Sequence, residues 1–452
     1  MNRTASAGAE GLTRRLVEGS LRTRGDELPP DVRRVARDCL VDWLGCSFAA
    51  LDQPVGRIVA EAAAEEGGHA QATLLGRPAR ATVQQAALVN GTLSHALDYD
   101  DVNLSVPGHM SAAILPAVVA LAEHRDASAA RWLEAFVAGY EFSCRVGMLL
   151  EPAHYDNGFH ATATIGCLGA AMACARLLEL PVDTACHAIG LAATQAAGLK
   201  VMFGSMAKPL HAGLASQAGL RAALLAGKGL IARTDVLECT QGFSQVHGGD
   251  FRVEDALAAP KNGHHLLNNL FKFHAACYST HSTIEAVAAL RREHGLDPAA
   301  VRRIEVVAGE GCRICNIQSP GTGLEAKFSL RACAAFALLG LDTAGLDSWN
   351  DVTDPEVARL VERVGVRLVP GMTLSDSIVT IVHEDGRAWE RAHDCGMPMP
   401  DKAEQSHRVA AKFRAIASRA LGEPRTEAVL EAASGFDHTG EVASLMRLCG
   451  ID

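Results

Sequence analysis

The stretch NGFHATATIGCLGAAMACARLLEL, residues 157–180, decides how this chain is read. From Ala161 onward it is rich in alanine and leucine, with Gly166 and Gly169 among them and no proline. Alanine has the highest helix propensity, and small side chains let neighbouring helices approach closely. The stretch therefore predicts a helix packed among other helices. Yet it opens on Gly158, Phe159 and His160, which sets a titratable imidazole beside the first helical N–H groups, those with no partner inside the helix.

The pattern spreads outward from there. Residues 30–265 read as almost wholly helical. In VRRVARDCLVDWLG, Val32, Val35, Ala36, Cys39, Leu40, Trp43 and Leu44 fall on one helical stripe. Similar stripes recur at 83–98, 111–124, 129–149, 182–196 and 209–228, and Pro29-Pro30 marks the start of the first helix. Near residue 265 the pattern changes. RRIEVVAG (302–309) alternates like a strand, and SIVTIVHEDGRAWERAH (377–393) predicts a hairpin turning at Asp385-Gly386, a pair suited to positive φ. Helical periodicity returns after Pro398 and Pro400. The expected fold is mostly α: a helical domain formed by both chain ends (1–265 and 401–452) and an inserted, smaller α+β domain at 266–400.

Composition excludes several classes. A chain of 452 residues, 48% hydrophobic, has room for two domains and a large core. A net charge of −10 argues against nucleic-acid binding, but an anionic substrate remains open where positive groups converge locally. The 13 cysteines lack the spacing of a secreted disulfide framework and read as reduced thiols of a cytoplasmic protein. The opening MNRTASAGAEGLTRR has no apolar signal core, and no apolar run reaches membrane-spanning length.

Four polar clusters interrupt the apolar background. In HALDYDDVNLSVPGHMSAAILP (95–116), Asp98, Asp100 and Asp101 close a helix, and a loop leads to His109 before the next. Carboxylates are disfavoured at a helix C-terminus, so either they have a task or a cation compensates them; a solvated acidic helix end is the plain alternative. The second cluster holds His154, Tyr155 and His160, where the helix start favours an anion. In the third, KPLHAG, Pro209 suits a first helical turn, and Lys208 then sits at the positive end of the dipole, with His211 one turn on. Such a position disfavours the ammonium form, as a lysine base requires; a lysine snorkelling to solvent is the alternative. The fourth, FKFHAACYSTHSTIEA (271–286), crowds Lys272, His274, Cys277 and His281 where the chain changes character. Cys277 and His281 have no second ligand pair at matching spacing, so no metal is expected, and Cys312-Arg-Ile-Cys315 reads as incidental. The inventory lacks a dinucleotide fingerprint. It suits proton transfer on an anionic substrate without a cofactor.

Taken in order, NGTLSHALDYDD, GHMSAAILP, GFHATATIG, FGSMAKPLHAGLASQAG, FKFHAACYSTHSTIEA and TGLEAKFSLRACAAFAL resemble the MmgE/PrpD family, which includes 2-methylcitrate dehydratases, cis-aconitate decarboxylases and iminodisuccinate epimerases. The resemblance covers nearly the whole chain. It implies a helical domain with a smaller α+β lid, a homodimer, and a cofactor-free site in a cleft between domains. It implies catalytic roles for Asp98, His109, His160 and Lys208, with Tyr155 resembling the tyrosine proposed as the lysine's acid–base partner in the epimerase branch. Ser111, His211, Lys272, Cys277 and His281 are the candidates for contacting substrate. The chain also departs from the family pattern. Cys277 stands where decarboxylases carry a histidine, Val102 where they have a threonine, Met110 within the usual His-Pro-Ser, and Ala332 in place of an aromatic. The first reading is a dehydratase-type lyase acting by α-proton abstraction on a di- or tricarboxylate. An epimerase of an amino- or imino-dicarboxylate and a helical scaffold without chemistry are the alternatives.

Overall fold

The computed structural model describes residues 10–248, 251–436 and 440–450. Positions 1–9, the start of the stretch read for a signal core, lie outside them. Helix starts are chemically marked. Pro30 and Pro54 stand in first turns, where a missing N–H costs nothing, and Thr82 with Gln85 forms a reciprocal capping box. In chain order the main helices are α1 (Leu12–Leu21), α2 (Pro30–Ala49), α3 (Pro54–Glu66), α4 (Val83–Ser94), α5 (Met110–His124) and α6 (Ala129–Leu150). Then come α7 (Ala161–Leu177), α8 (Val182–Ala193), α9 (Ala207–Gly227), α10 (His281–His294), α11 (Leu330–Leu339) and α12 (Pro355–Glu362). The last three are α13 (Lys402–Leu421), α14 (Glu423–Ser434) and α15 (Val442–Cys449). The strands longer than two residues are β1 (Val301–Gly309), β2 (Val364–Val369), β3 (Asp376–His383) and β4 (Ala388–Asp394). The protein is mostly α. None of the described helices is long and apolar enough to cross a membrane.

The described residues form two compact units, one reaching to Phe271 and resuming at Pro400, the other Lys272–Met399. In the first unit α7 is the central element. All its residues except Arg176 are buried, and it packs against α5, α6, α8 and α9. Helices this close need glycine at the crossings. A methyl group on Gly213 would lie 2.3 Å from the Leu88 carbonyl oxygen, so α4 and α9 meet backbone to backbone there. The stripe read on α2 is buried throughout, and α13 lies against it with Phe48 and Phe413 edge to face.

In the second unit the four strands form one sheet in the order β2-β1-β3-β4. β1 and β2 run parallel, and the other pairs are antiparallel. The β3–β4 hairpin turns through Asp385 and Gly386, with Gly386 at φ 87 as the pair predicts. Ser377, Val379 and Ile381 on β3 point inward, and α10 covers the sheet and packs on α11.

Two expected helix ends move. The helix expected over 83–98 stops at Ser94, and the one expected over 182–196 stops at Ala193. The first shift matters most, because it releases the acidic stretch from any helix.

Candidate active site

With α4 finished, the chain turns tightly. Asp98 donates its N–H to the His95 carbonyl and takes a left-handed backbone (φ 52), which is uncommon for a residue with a Cβ and best tolerated by Asp and Asn. The turn is anchored from below by groups on α2 and α13. Lys412 of α13 is fully buried, and its Nζ donates to Asp42 Oδ1 and to the Tyr99 carbonyl, both at 2.6 Å. The other Asp42 oxygen accepts the Asp101 N–H at 3.1 Å. Burial would lower the Lys412 pKa, but its negative neighbours, Asp42 first and Asp100 among them, together outweigh burial and raise it, which favours the charged amine.

The anchored turn presents two carboxylates to a group of imidazoles. His95 Nδ1 lies 3.0 Å from both oxygens of Asp100. His109 Nδ1 lies 3.0 Å from Asp100 Oδ2, and its Nε2 lies 3.3 Å from Asp98 Oδ1. Lys208 Nζ shares that Asp98 oxygen at 2.7 Å. The result is a connected series: Lys208, Asp98, His109, Asp100, His95. Burial would raise the Asp100 carboxyl, but His109 and His95 outweigh burial and hold it well below the usual carboxylate range. Exposure grades along the series. The Asp98 side chain is 54% exposed, those of Lys208 and His109 are 14% and 11%, and that of Asp100 is 1%. A solute meets Asp98, Lys208 and His109 first.

Three helix starts meet here. His109 precedes α5, and its N–H donates to Thr162 Oγ1 in the first turn of α7. His160 precedes α7, its N–H donating to the Gly198 carbonyl. Lys208 lies in the first turn of α9. The His160 ring stacks near His95, meets Phe203 edge-on, and sets Nδ1 3.2 Å from His211 Nδ1. Burial, followed by the neighbouring His95 and Lys208, lowers His160 to about 2, so its imidazole is neutral and offers one donor and one acceptor. Tyr155 carries a cation on its ring, but it is Lys200 rather than Lys208: Lys200 Nζ lies 3.4 Å from the ring centroid and donates to the Tyr155 carbonyl. Burial, then Glu151 and Asp98, raise the Tyr155 phenol, so it is a proton donor and not a base near neutrality.

Asp98, His109, His160, Lys208 and His211 therefore belong to one constellation. Ser111 does not face solvent. It is fully buried on α5 and donates to Asp101 Oδ2 at 2.8 Å, because the first turn of α5 packs under the acidic turn. Lys272, Cys277 and His281 belong to the second unit. There His281 is buried, its Nε2 lies 3.2 Å from the Ala276 carbonyl, and burial followed by His274 holds its pKa well below the usual range. His95, Lys200 and Lys412 were not singled out by sequence, whereas Asp100 was named with the acidic stretch. His95 had one signal, its place five residues before Asp100 in SHALDYDD. His95, Asp98, Asp100 and His109 also lie close enough to share a metal ion, their ligand atoms falling within 4.8 Å of one another. In the structure the Lys208 ammonium supplies the positive charge at Asp98.

A mostly helical protein here gathers imidazoles, carboxylates and a lysine, groups able to donate and accept protons, at converging helix starts. More particularly, the chain belongs to the MmgE/PrpD family: the MmgE/PrpD N-terminal domain matches residues 14–256, and the MmgE/PrpD C-terminal domain matches residues 274–437. Among similar proteins, the cis-aconitate decarboxylase of Aspergillus terreus is 24% identical over 97% of this chain and 96% of its own length. The cis-aconitate decarboxylase of Mus musculus is 27% identical over 94% of this chain and 90% of its own, and that of Homo sapiens is 26% identical over 90% and 88%.

Proposed function

We propose that this protein is a cofactor-independent lyase that acts on a small di- or tricarboxylate through an enolate-like intermediate. The observation that carries the reading is the series Lys208–Asp98–His109–Asp100–His95, set where three helix starts converge. Family membership and relatives named as cis-aconitate decarboxylases support the lyase class.

The chemistry follows from charge. Removing a proton, or carbon dioxide, from the carbon beside a carboxylate leaves negative charge that spreads onto the carboxylate oxygens. Cations and N–H groups aimed at those oxygens stabilise it. Lys208, His109 and the helix starts supply them, and Asp100 stabilises His109 in its charged form. In a dehydration, the exposed Asp98 carboxylate accepts the α-proton. His109 or Lys208 then donates to the departing hydroxyl, so that water leaves and a carbon–carbon double bond forms. In a decarboxylation, the bond to the carboxyl carbon breaks and Lys208 returns a proton to the carbon. Dehydration remains the first reading. A second, epimerisation of an amino- or imino-dicarboxylate, is favoured by the Tyr155 phenol, which lies near enough to Asp98 for that carboxylate to raise it.

The test is proton NMR in deuterated water with 2-methylcitrate, cis-aconitate and iminodisuccinate in turn. Loss of water or of carbon dioxide from one of the first two is expected, and deuterium exchange without net loss would move the protein to the isomerases. Lys208→Ala should lower turnover ~10²- to 10⁴-fold, the range for a positioned proton-transfer group, with the fold intact by circular dichroism. Absence of turnover and exchange with all three acids, or full activity in Lys208→Ala, would overturn the reading.

A further inference from the structure

The second unit holds a thiol cluster that the proposed chemistry does not use. Two short 3-10 turns, Tyr278–Thr280 and Glu310–Cys315, pack against each other there. Cys312 and Cys315 are fully buried with Ala308 and Leu330, while Cys277, just ahead of the first turn, packs against them and remains partly exposed. The backbone holds Cys277 in place. Its N–H donates to the Lys327 carbonyl at 3.0 Å, and its carbonyl accepts from the Thr280 N–H and hydroxyl.

The neighbouring thiols are not equivalent. The Cys312 sulfhydryl is directed at the Ser279 and Leu374 carbonyls, and that of Cys333 at the Ala326 carbonyl. Among the described residues no carbonyl accepts from the Cys315 sulfhydryl, which lies in the buried cluster that Cys277 packs against.

We propose that Cys277 and Cys315 are an oxidisable dithiol, with Cys277 the sulfur attacked first by a hydroperoxide and Cys315 the sulfur that resolves it into a disulfide. Cys277 has the character of a reactive thiol. The neighbouring Cys315 thiol, with Ser279 and Lys272, outweighs burial and lowers the Cys277 thiol below its ordinary value, which favours the thiolate. The thiolate attacks the peroxide. A sulfur–oxygen bond forms, the oxygen–oxygen bond breaks, hydroxide (or the alkoxide) leaves, and Cys277 is oxidised to the sulfenic acid. The Cys315 sulfur then attacks the Cys277 sulfur. A sulfur–sulfur bond forms, the sulfur–oxygen bond breaks, and the leaving oxygen departs as water with the Cys315 proton. A small dithiol reverses the process. Buried Cys315 is shielded from the oxidant itself, which fixes the order of the steps. This inference does not depend on the reading of the site in the first unit.

The chain's own tryptic map separates the possibilities, because Arg313 cuts between Cys312 and Cys315. Cys277 falls in the peptide 273–291, Cys315 in 314–327, and Cys312 in another. The full-length protein is treated with hydrogen peroxide, blocked with iodoacetamide and digested without reductant. The expected product is peptide 273–291 linked to 314–327, absent before treatment and abolished by dithiothreitol. Cys312→Ala should keep the link. Cys315→Ala should lose it and leave Cys277 oxidised beyond the sulfenic acid. Should Cys277 in the wild-type protein stay fully alkylatable after peroxide, or pair with Cys312 instead, the proposal is wrong, and that readout does not require any variant to fold.

Discussion

The acidic turn carries two lysine–carboxylate pairs with opposite surroundings. Lys208–Asp98 sits on its open side, at 2.7 Å, with the carboxylate side chain 54% exposed. Lys412–Asp42 sits beneath, at 2.6 Å, with side chains 2% and 0% exposed. In the upper pair the Asp98 carboxylate keeps much of its hydration while Lys208 is largely covered, so water screens the pair from the carboxylate side. The lower pair is dry. Its charges cannot regain water if separated, and each also holds backbone of the turn, at the Tyr99 carbonyl and the Asp101 N–H. Burial thus gives one pair the holding of the turn and leaves the other on the solvent side.

Breaking the dry pair gives the largest expected effect. Lys412→Met leaves Asp42 buried without its cation and should lower stability by about 3–5 kcal/mol in urea unfolding. Replacing both partners, as Asp42→Leu with Lys412→Met, should recover much of that loss, since the uncompensated charge is gone. If Lys412→Met unfolds at the wild-type denaturant midpoint, the comparison fails at its first step.

The step between the pairs is Asp100, which touches His95 and His109 but not the exposed rim. Asp100→Asn keeps the shape and removes the charge that stabilises the imidazolium of His109. Hydrogen bonds to charged groups are worth about 1.5–3 kcal/mol, so turnover should fall ~10- to 100-fold while substrate KM changes little. Equal losses in Asp100→Asn and Asp98→Asn would mean that the two carboxylates do the same work.

The two pairs also differ in how they could be read from sequence. Lys208 announces itself next to Pro209 at a helix start, and His109 and His160 also stand directly before helices. Regular elements were legible where periodicity and punctuation agreed, as for the strand over Val301–Gly309 and the hairpin at Asp385-Gly386. Lys412 was not legible. In HRVAAKFRAIA a lysine is expected to reach solvent, and only Asp42, 370 positions away, makes its burial tolerable. His95 was hidden for the same reason: the helix pattern ran to residue 98, whereas the His95–Asp100 contact and the anchored turn stop the helix at Ser94. Contacts distant in sequence overrode local propensity at both places.

A pH experiment tests dry against wet in a second place. His154 is buried, bonded through Nδ1 to the His247 carbonyl at 2.6 Å and through Nε2 to Thr164 Oγ1 at 2.7 Å. Burial lowers it from 6.5 to about 4. A lowered histidine contributes stability that is full above the unfolded value and is lost as pH falls through the folded one, here between 6.5 and about 4. Glu141, pushed up to about 7 by burial, acts oppositely, so total stability mixes the two. The difference between wild type and His154→Asn isolates the histidine: the gap should shrink by about 1–3 kcal/mol from pH 7 to pH 4. A gap independent of pH would mean that His154 protonates freely in the folded state.

The smallest expected effect is no change at all. The quartet His95, Asp98, Asp100 and His109 has the donors for a divalent cation, but a cation there would sit beside the Lys208 ammonium and compete with it for Asp98. Two positive charges a few ångströms apart repel, and the ammonium is tethered by the chain. Incubation with EDTA followed by gel filtration should therefore leave turnover unchanged, and added zinc or manganese should inhibit by displacing Lys208 from its carboxylate. Activity that disappears with EDTA and returns with either metal would reverse the assignment. Asp98 and Asp100 would then be ligands, and the open pair would be an apo state of a metal centre.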